Sequence, residues 1–168
     1  MKVINIHKRK ISQPKEKVSL LFKTLATSND QIWPYRKWPS MRFKEGLKLG
    51  SKGGHGRIRY TVVEFNDQSF VKFKFTQPDG FYGTHELSIN AVSENTSEII
   101  HKIDMKTSLK ASVLWVFMIR WLHDALIEDA FDNVENYFSK EKKTTSYNVW
   151  VTLLRAYYKS TSFKTKHA

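Results

Sequence analysis

Between residues 57 and 107 apolar and polar side chains alternate with a period of two, interrupted only by short polar turns. That period marks strands with one dry and one wet face. Four strands are predicted, at 57–65, 69–76, 81–93 and 96–107, separated by Asn66-Asp67-Gln68, Pro78-Asp79-Gly80 and Glu94-Asn95. Connections this short make an antiparallel meander. Tyr60 and Val62 are expected on an inner face with Val71, Phe73 and Phe75. Phe81, His85, Leu87 and Ile89 share one face of the third strand, and Ile99, His101, Ile103 and Met105 one face of the fourth. Lys72, Lys74, Glu86, Lys102 and Asp104 fall on the opposite, wet faces.

Residues 3–11 alternate as well, with Ile4 and Ile6 on one face and His7 and Arg9 on the other. Ser12-Gln13-Pro14-Lys15-Glu16 then reads as a helix start, since proline suits a first turn and Gln13 to Glu16 has capping-box spacing. Val18, Leu21, Phe22 and Leu25 form one helical face, and Ser28-Asn29-Asp30 ends it. Residues 110–138 contain neither glycine nor proline and predict one long helix. Val116, Ile119, His123, Leu126, Ile127, Ala130, Val134 and Tyr137 lie on its broad apolar face. Leu114, Met118, Trp121 and Ala125 lie nearly opposite, so its first half is expected to be covered by more than one sheet face. Asp124, Glu128 and Asp132 repeat at i, i+4 and i+8, which reads as a solvated stripe paired with nearby Lys or Arg.

Residues 139–145 are a polar linker. Beyond them Trp150, Leu153, Leu154 and Tyr157 have helical spacing. A helix this short needs a partner surface, either the preceding domain or a second copy of the chain in a homodimer. The basic tail from Lys159 is expected to be mobile. The expected organisation is therefore a domain over 1–138, followed by a basic linker, short helix and tail over 139–168. There are no internal repeats.

Composition narrows the function classes. The chain has 168 residues, no cysteine and a net charge of +12. Disulfides and thiolate-bound metals are excluded, as is a thiol nucleophile. The charge is uneven: residues 1–59 carry fifteen Lys/Arg against three Asp/Glu, residues 60–138 six against twelve, and residues 139–168 seven against one. Basic ends around an acidic middle attract nucleic acid or an anionic membrane, or simply favour solubility. The longest apolar run, 111–119, stops at Arg120, far short of the ~20 residues that span a membrane. No secretory signal is visible at the N-terminus. The expectation is a cytoplasmic protein without a transmembrane segment.

Four of the seven glycines lie in Gly50-Ser51-Lys52-Gly53-Gly54-His55-Gly56, directly ahead of the strand that begins Arg57-Ile58-Arg59-Tyr60. A helix would have to follow for this loop to cradle a phosphate. A strand follows instead, which favours a tight hairpin. Gly50, Gly53, Gly54 and Gly56 with the strand after them resemble the glycine-rich loop of Bet v 1-type proteins. The order of strand, helical pair, glycine loop, meander and long helix is similar to that of the START-like superfamily (SRPBCC, polyketide cyclase-like) over residues 3–138. The Trp-Pro-rich segment Trp33-Pro34-Tyr35-Arg36-Lys37-Trp38-Pro39 and everything after Ser139 depart from that pattern. The resemblance implies an α+β helix-grip fold, a curved antiparallel sheet around a long C-terminal helix. It further implies a cavity that binds apolar or amphipathic small molecules, in a minority of members with cyclisation, dehydration or hydration chemistry. The glycine loop would be a rim of that cavity.

Three functions are weighed. The first is a binding protein whose cavity is lined by Tyr60, Phe73, Phe75, His85, Leu87, Ile89, His101, Ile103, Met105, His123 and Ile127. His85 and His101 would supply its few orienting polar contacts. The second is an enzyme using His85 and His101 as acid and base. The third, ranked last, is a nucleic-acid or anionic-membrane binder using the basic ends, with Trp33 and Trp38 as stacking platforms. No HExxH-type spacing supports a metal site, and no cofactor is expected. His55, in the glycine loop, is expected to be exposed. The two Trp-Pro pairs read as a turn whose indoles plug the core edge, or as an aromatic rim at a pocket mouth.

Overall fold

A computed structural model describes the backbone of residues 1–164 and the side chains of residues 1–159. Its strands are β1 (Lys2–Ile11), β2 (Arg42–Phe43), β3 (Lys52–His55), β4 (Ile58–Asn66), β5 (Phe70–Gln77), β6 (Phe81–Ser93) and β7 (Thr96–Thr107). They form one antiparallel sheet in the order β1-β7-β6-β5-β4-β3-β2. The predicted meander is β4 to β7, with β6 and β7 ending where the alternation ends. Tyr60 stands opposite Phe75 and Val62 opposite Phe73, so the proposed inner set is in register. β1 pairs with β7 along its whole length, from Lys2 opposite Lys106 to Ile11 opposite Ser97. Register shifts at Arg59/Tyr60 and Val62/Glu64 add bend to the natural twist of such a sheet.

The helical rod in the grip runs from Leu109 to Phe138 as three joined pieces: α2 (Leu109–Leu114), a π-helical stretch (Trp115–Ile119) and α3 (Arg120–Phe138). Ser108 caps its start, the hydroxyl accepting from Ala111 N at 3.3 Å. The π stretch widens one turn and resets the helical phase. Trp115 is consequently the buried residue there, while Val116, predicted inside, is 39% exposed. Tyr137 also faces outward. The side of the rod expected to be covered is so in part, with Ala125 buried and Leu114, Met118 and Trp121 half-buried, whereas Leu109, Val113 and Phe117 are exposed.

Between β1 and β2 the predicted helical pair is reduced to α1 (Lys15–Ser19) running into a 3-10 turn (Leu20–Thr24). Together they bury Val18, Leu21 and Phe22. The Gln13–Glu16 capping box does not form, because Pro14 is the N-cap and makes no side-chain bond. After Leu25 the chain is irregular, and Asp30 holds it. Its buried carboxylate accepts from the backbone N–H groups of Ala26 (2.7 Å), Ile32 (2.9 Å) and Trp33 (2.7 Å).

The last helix, α4 (Val149–Lys164), packs back on the body through Val151 and Leu154, which are buried. Trp150, Leu153 and Tyr157, expected on the packed face, are exposed. The helix also continues through the segment expected to be a tail, as far as Lys164; residues 165–168 lie outside the described residues. Among the described residues no helix is long and apolar enough to cross a membrane. The whole is the helix-grip α+β fold that the element order predicts.

Candidate functional site

The rod and the concave sheet diverge around a cavity of about 950 Å³. That is near the top of the range of about 300–1,000 Å³ usual for small-molecule sites. Its floor comes from alternate residues of β5, β6 and β7: Phe73 and Phe75, His85 and Leu87, His101 and Ile103. Its roof comes from the rod, where the π stretch brings Trp115 and Ile119 to the cavity and α3 adds Leu122, His123, Leu126 and Ile127. The Trp-Pro segment, the β3–β4 turn and α4 supply the remaining wall.

Eight of the eleven residues expected to line a cavity do so: Phe73, Phe75, His85, Leu87, His101, Ile103, His123 and Ile127. The other three are core instead. Tyr60 and Ile89 are wholly buried in the main cluster, and Met105 packs with Val3 and Phe81 in a second one. Of the four glycines only Gly56 borders the cavity. Gly53 and Gly54 are strand residues of β3, and Gly50 precedes it. A Cβ at Gly54 would stand 2.0 Å from the Ile58 carbonyl oxygen, and Gly56 turns the hairpin at φ +51°. The glycines are therefore architectural. His55 corrects the expectation of exposure: it is half-buried, borders the cavity, and lies 3.1 Å through Nδ1 from the Tyr60 hydroxyl. Burial pushes its imidazole down to about 3.

A file of histidines crosses the site. His85 Nδ1 and His101 Nε2 are 3.4 Å apart, the His101 and His123 rings 4.9 Å, and the His123 and His7 rings 5.8 Å. Burial, with other histidines nearby, holds His85 and His101 well below the ordinary imidazole value, so both are neutral near pH 7. Burial likewise lowers His123, against the opposing pull of Asp124. His85 Nε2, His101 Nδ1 and His123 Nε2 are buried without a hydrogen-bond partner.

His7 behaves oppositely. Burial alone would lower it, but its ring lies between Asp124 (Nε2, 3.0 Å) and Glu128 (Nδ1, 2.8 Å), and it rises to about 9. Arg9, two residues on, binds Glu128 at 2.6 Å and Asp132 at 2.5 Å. The acidic stripe is paired with arginine as expected, but it is only partly solvated, because it lies against β1, whose Ile4 and Ile6 face outward. One ligand atom each from His7, His123 and Asp124 lies within 4.8 Å of the others, the set among the described residues that could hold a metal ion. The sequence pointed to no such set, because His7 and the other two lie on elements far apart in the chain.

The Trp-Pro segment forms both things read from it, a core plug and an aromatic rim at the mouth, through contacts the sequence did not mark. Trp33 is buried and donates from Nε1 to the Pro39 carbonyl at 2.9 Å. Trp38 donates from Nε1 to Asp129 at 2.7 Å, and Lys37 binds the same carboxylate at 2.6 Å. Tyr147, just ahead of α4, donates its hydroxyl to Asp129 too. The Arg155 guanidinium of α4 stacks over Trp38 at 4.0 Å and over Tyr147 at 4.5 Å. Both tryptophans thus belong to the cavity wall, and neither offers the open stacking face expected of a nucleic-acid platform. The apolar positions of α4 signalled only a helix; the alternation of Arg155 and Tyr158 toward the mouth was not marked by any period.

No protein-family model matches the sequence, and no curated protein is similar to it in sequence. Solved structures share the fold. A protein from Thermobifida fusca superposes with a TM-score of 0.63 at 9% identity, covering 86% of this chain and 99% of its own. Norcoclaurine synthase from Thalictrum flavum gives 0.61 at 8% identity, over 83% of this chain and 90% of its own; that structure holds dopamine and hydroxybenzaldehyde. CalU16 from Micromonospora echinospora gives 0.56 at 9% identity, over 100% of this chain and 98% of its own. At these identities the likeness is one of fold: the chain shares the helix-grip architecture of these structures.

Proposed function

We propose that this protein binds a small amphipathic molecule in the cavity between sheet and rod, and that His85 and His101 orient a polar group of it. On this reading residues 1–138 hold the ligand and residues 139–164 complete the wall. The observation that carries it is the histidine pair. A neutral imidazole has one N–H and one lone pair. If His85 donates to His101, the pair is left with a lone pair on His85 Nε2 and an N–H on His101 Nδ1. If His101 donates, the roles exchange. Either way one donor and one acceptor stay buried without a protein partner, an arrangement that natural cores avoid. A hydroxyl, enol or carboxylic acid group satisfies such a pair from within an otherwise apolar cavity. Apolar burial at about 25 cal/mol per Å² supplies the remaining affinity.

Titration with the neutral dye Nile red tests the reading. One site per chain is expected, and Leu122→Trp, which fills part of the cavity, should weaken it severalfold while circular dichroism stays unchanged. Dye affinity untouched by this substitution would falsify the proposal.

A second reading follows from the same pair: two neutral imidazoles in contact can accept and return a proton, as in hydratase or cyclase chemistry. His85→Gln with His101→Gln should then abolish turnover of a substrate found among copurifying molecules. Retained turnover rejects it. The reading also extends to a homodimer through the exposed Trp150 and Leu153 of α4; a monomer mass at every concentration in sedimentation equilibrium removes that part.

A further inference from the structure

We infer that the cavity selects an amphiphile with an anionic head, a carboxylate or a phosphate, held at the mouth by Arg155. The inference rests on the ligand-binding reading above and adds the ligand's charge. Four cationic side chains border the cavity: Lys37 from the Trp-Pro segment, Arg57 from the β3–β4 turn, and Arg155 and Lys159 from α4. Among the described residues no aspartate or glutamate borders it. Asp129, behind the wall and 1% exposed, pairs with Lys37, so one carboxylate faces four cations. The mouth is left with an excess of positive charge over an apolar interior, which draws and orients an anion.

Arg155 is the anchor. Its guanidinium is fixed from two sides, by the stack on Trp38 and Tyr147 and by Nη2 donating to the Lys37 carbonyl at 3.0 Å. Its Nη1 is buried and has no hydrogen-bond partner. An arginine cannot shed its charge to relieve that deficit. A carboxylate or phosphate oxygen completes it with a charge-assisted bond, the strongest kind open to it. Arg57 and Lys159, exposed at the rim, add long-range attraction. Three of the four cations belong to α4 and the Trp-Pro segment.

The experiment measures displacement of Nile red by sodium laurate, dodecyl phosphate and 1-dodecanol, each below its aggregation concentration. Laurate and dodecyl phosphate should each bind at least about tenfold more tightly than dodecanol at low salt. Added salt should narrow the gap. Arg155→Gln should remove most of the preference, weakening the two anions far more than dodecanol. A preference for one of the two anions identifies carboxylate or phosphate as the head. Because Arg155 also packs α4, the rim variant Arg57→Gln/Lys159→Gln, which leaves the stack in place, gives an independent reading and should weaken both anions severalfold. Dodecanol binding as tightly as the anions overturns this inference and leaves the cavity reading standing. So does an Arg155→Gln effect equal on all three probes in a folded protein. Failure of Nile red and all three probes to bind overturns both.

Discussion

The histidines show how one side-chain type takes opposite charge states in one molecule. His7 gains two carboxylate partners and rises to about 9, whereas His55, His85, His101 and His123 lose solvent and fall. Each shift has its own signature in stability. The folded pKa of His7 lies above the unfolded value of about 6.5. Its contribution is therefore full below pH 6.5 and is lost as pH rises through about 9. His7→Asn should cost about 1–2 kcal/mol at pH 6, with solvent screening allowed for, and the difference from the parent should close by pH 10. The four lowered histidines act at the other end. Their stability is full above pH 6.5 and is lost as pH falls, because the unfolded chain takes up protons that the folded one refuses. Below pH 6 each should steepen the fall by up to about 1.4 kcal/mol per pH unit. Replacing His85 with Phe should remove one such increment, as urea denaturation at a series of pH values will report. An unchanged slope would mean that His85 is already protonated in the fold.

Among the elements, the strands were legible and the joints were not. Alternation located β4 to β7 because each has one dry face, and a period of two survives wherever that holds. The π stretch left no such trace, since it widens one turn without changing composition; the inward residue is Trp115, not Val116, for that reason alone. The packed face of α4 was misread because Trp150 and Leu153 are as apolar as Val151 and Leu154. The contact of β1 with the acidic stripe could have been found. Alternate strand residues rise about 6.7 Å and helix residues four apart about 6.0 Å. His7 and Arg9 therefore match Asp124, Glu128 and Asp132 in step. Asp129 joins three elements in a way no local pattern announces, taking donors from Lys37, Trp38 and Tyr147. Asp129→Ala should leave those donors short of an acceptor and cost about 3 kcal/mol in chemical denaturation. Asp129→Asn, which keeps one acceptor oxygen, should cost less. Equal losses for the two would show that the charge, not the acceptor geometry, holds the Trp-Pro segment to α3.

For the molecule as a whole the cavity is a liability, which occupancy would remove on the proposed ligand-binding reading. A hollow of about 950 Å³ between sheet and rod forgoes the dispersion contacts a filled core would make. A ligand that restores them binds the folded chain and not the unfolded one, so it stabilises by mass action. At one hundred times its dissociation constant the gain is about 2.7 kcal/mol. For a chain of this size each kcal/mol moves the melting temperature by about 2–4 °C, so a saturating ligand should raise it by roughly 5–11 °C. Leu122→Trp should raise the melting temperature of the empty protein by filling part of the hollow, and should reduce the further rise on adding ligand. The two effects are opposite faces of one volume: whatever the indole occupies, the ligand loses. A variant that gains nothing from the indole yet still responds fully to ligand would place the binding surface outside the sheet-and-rod grip.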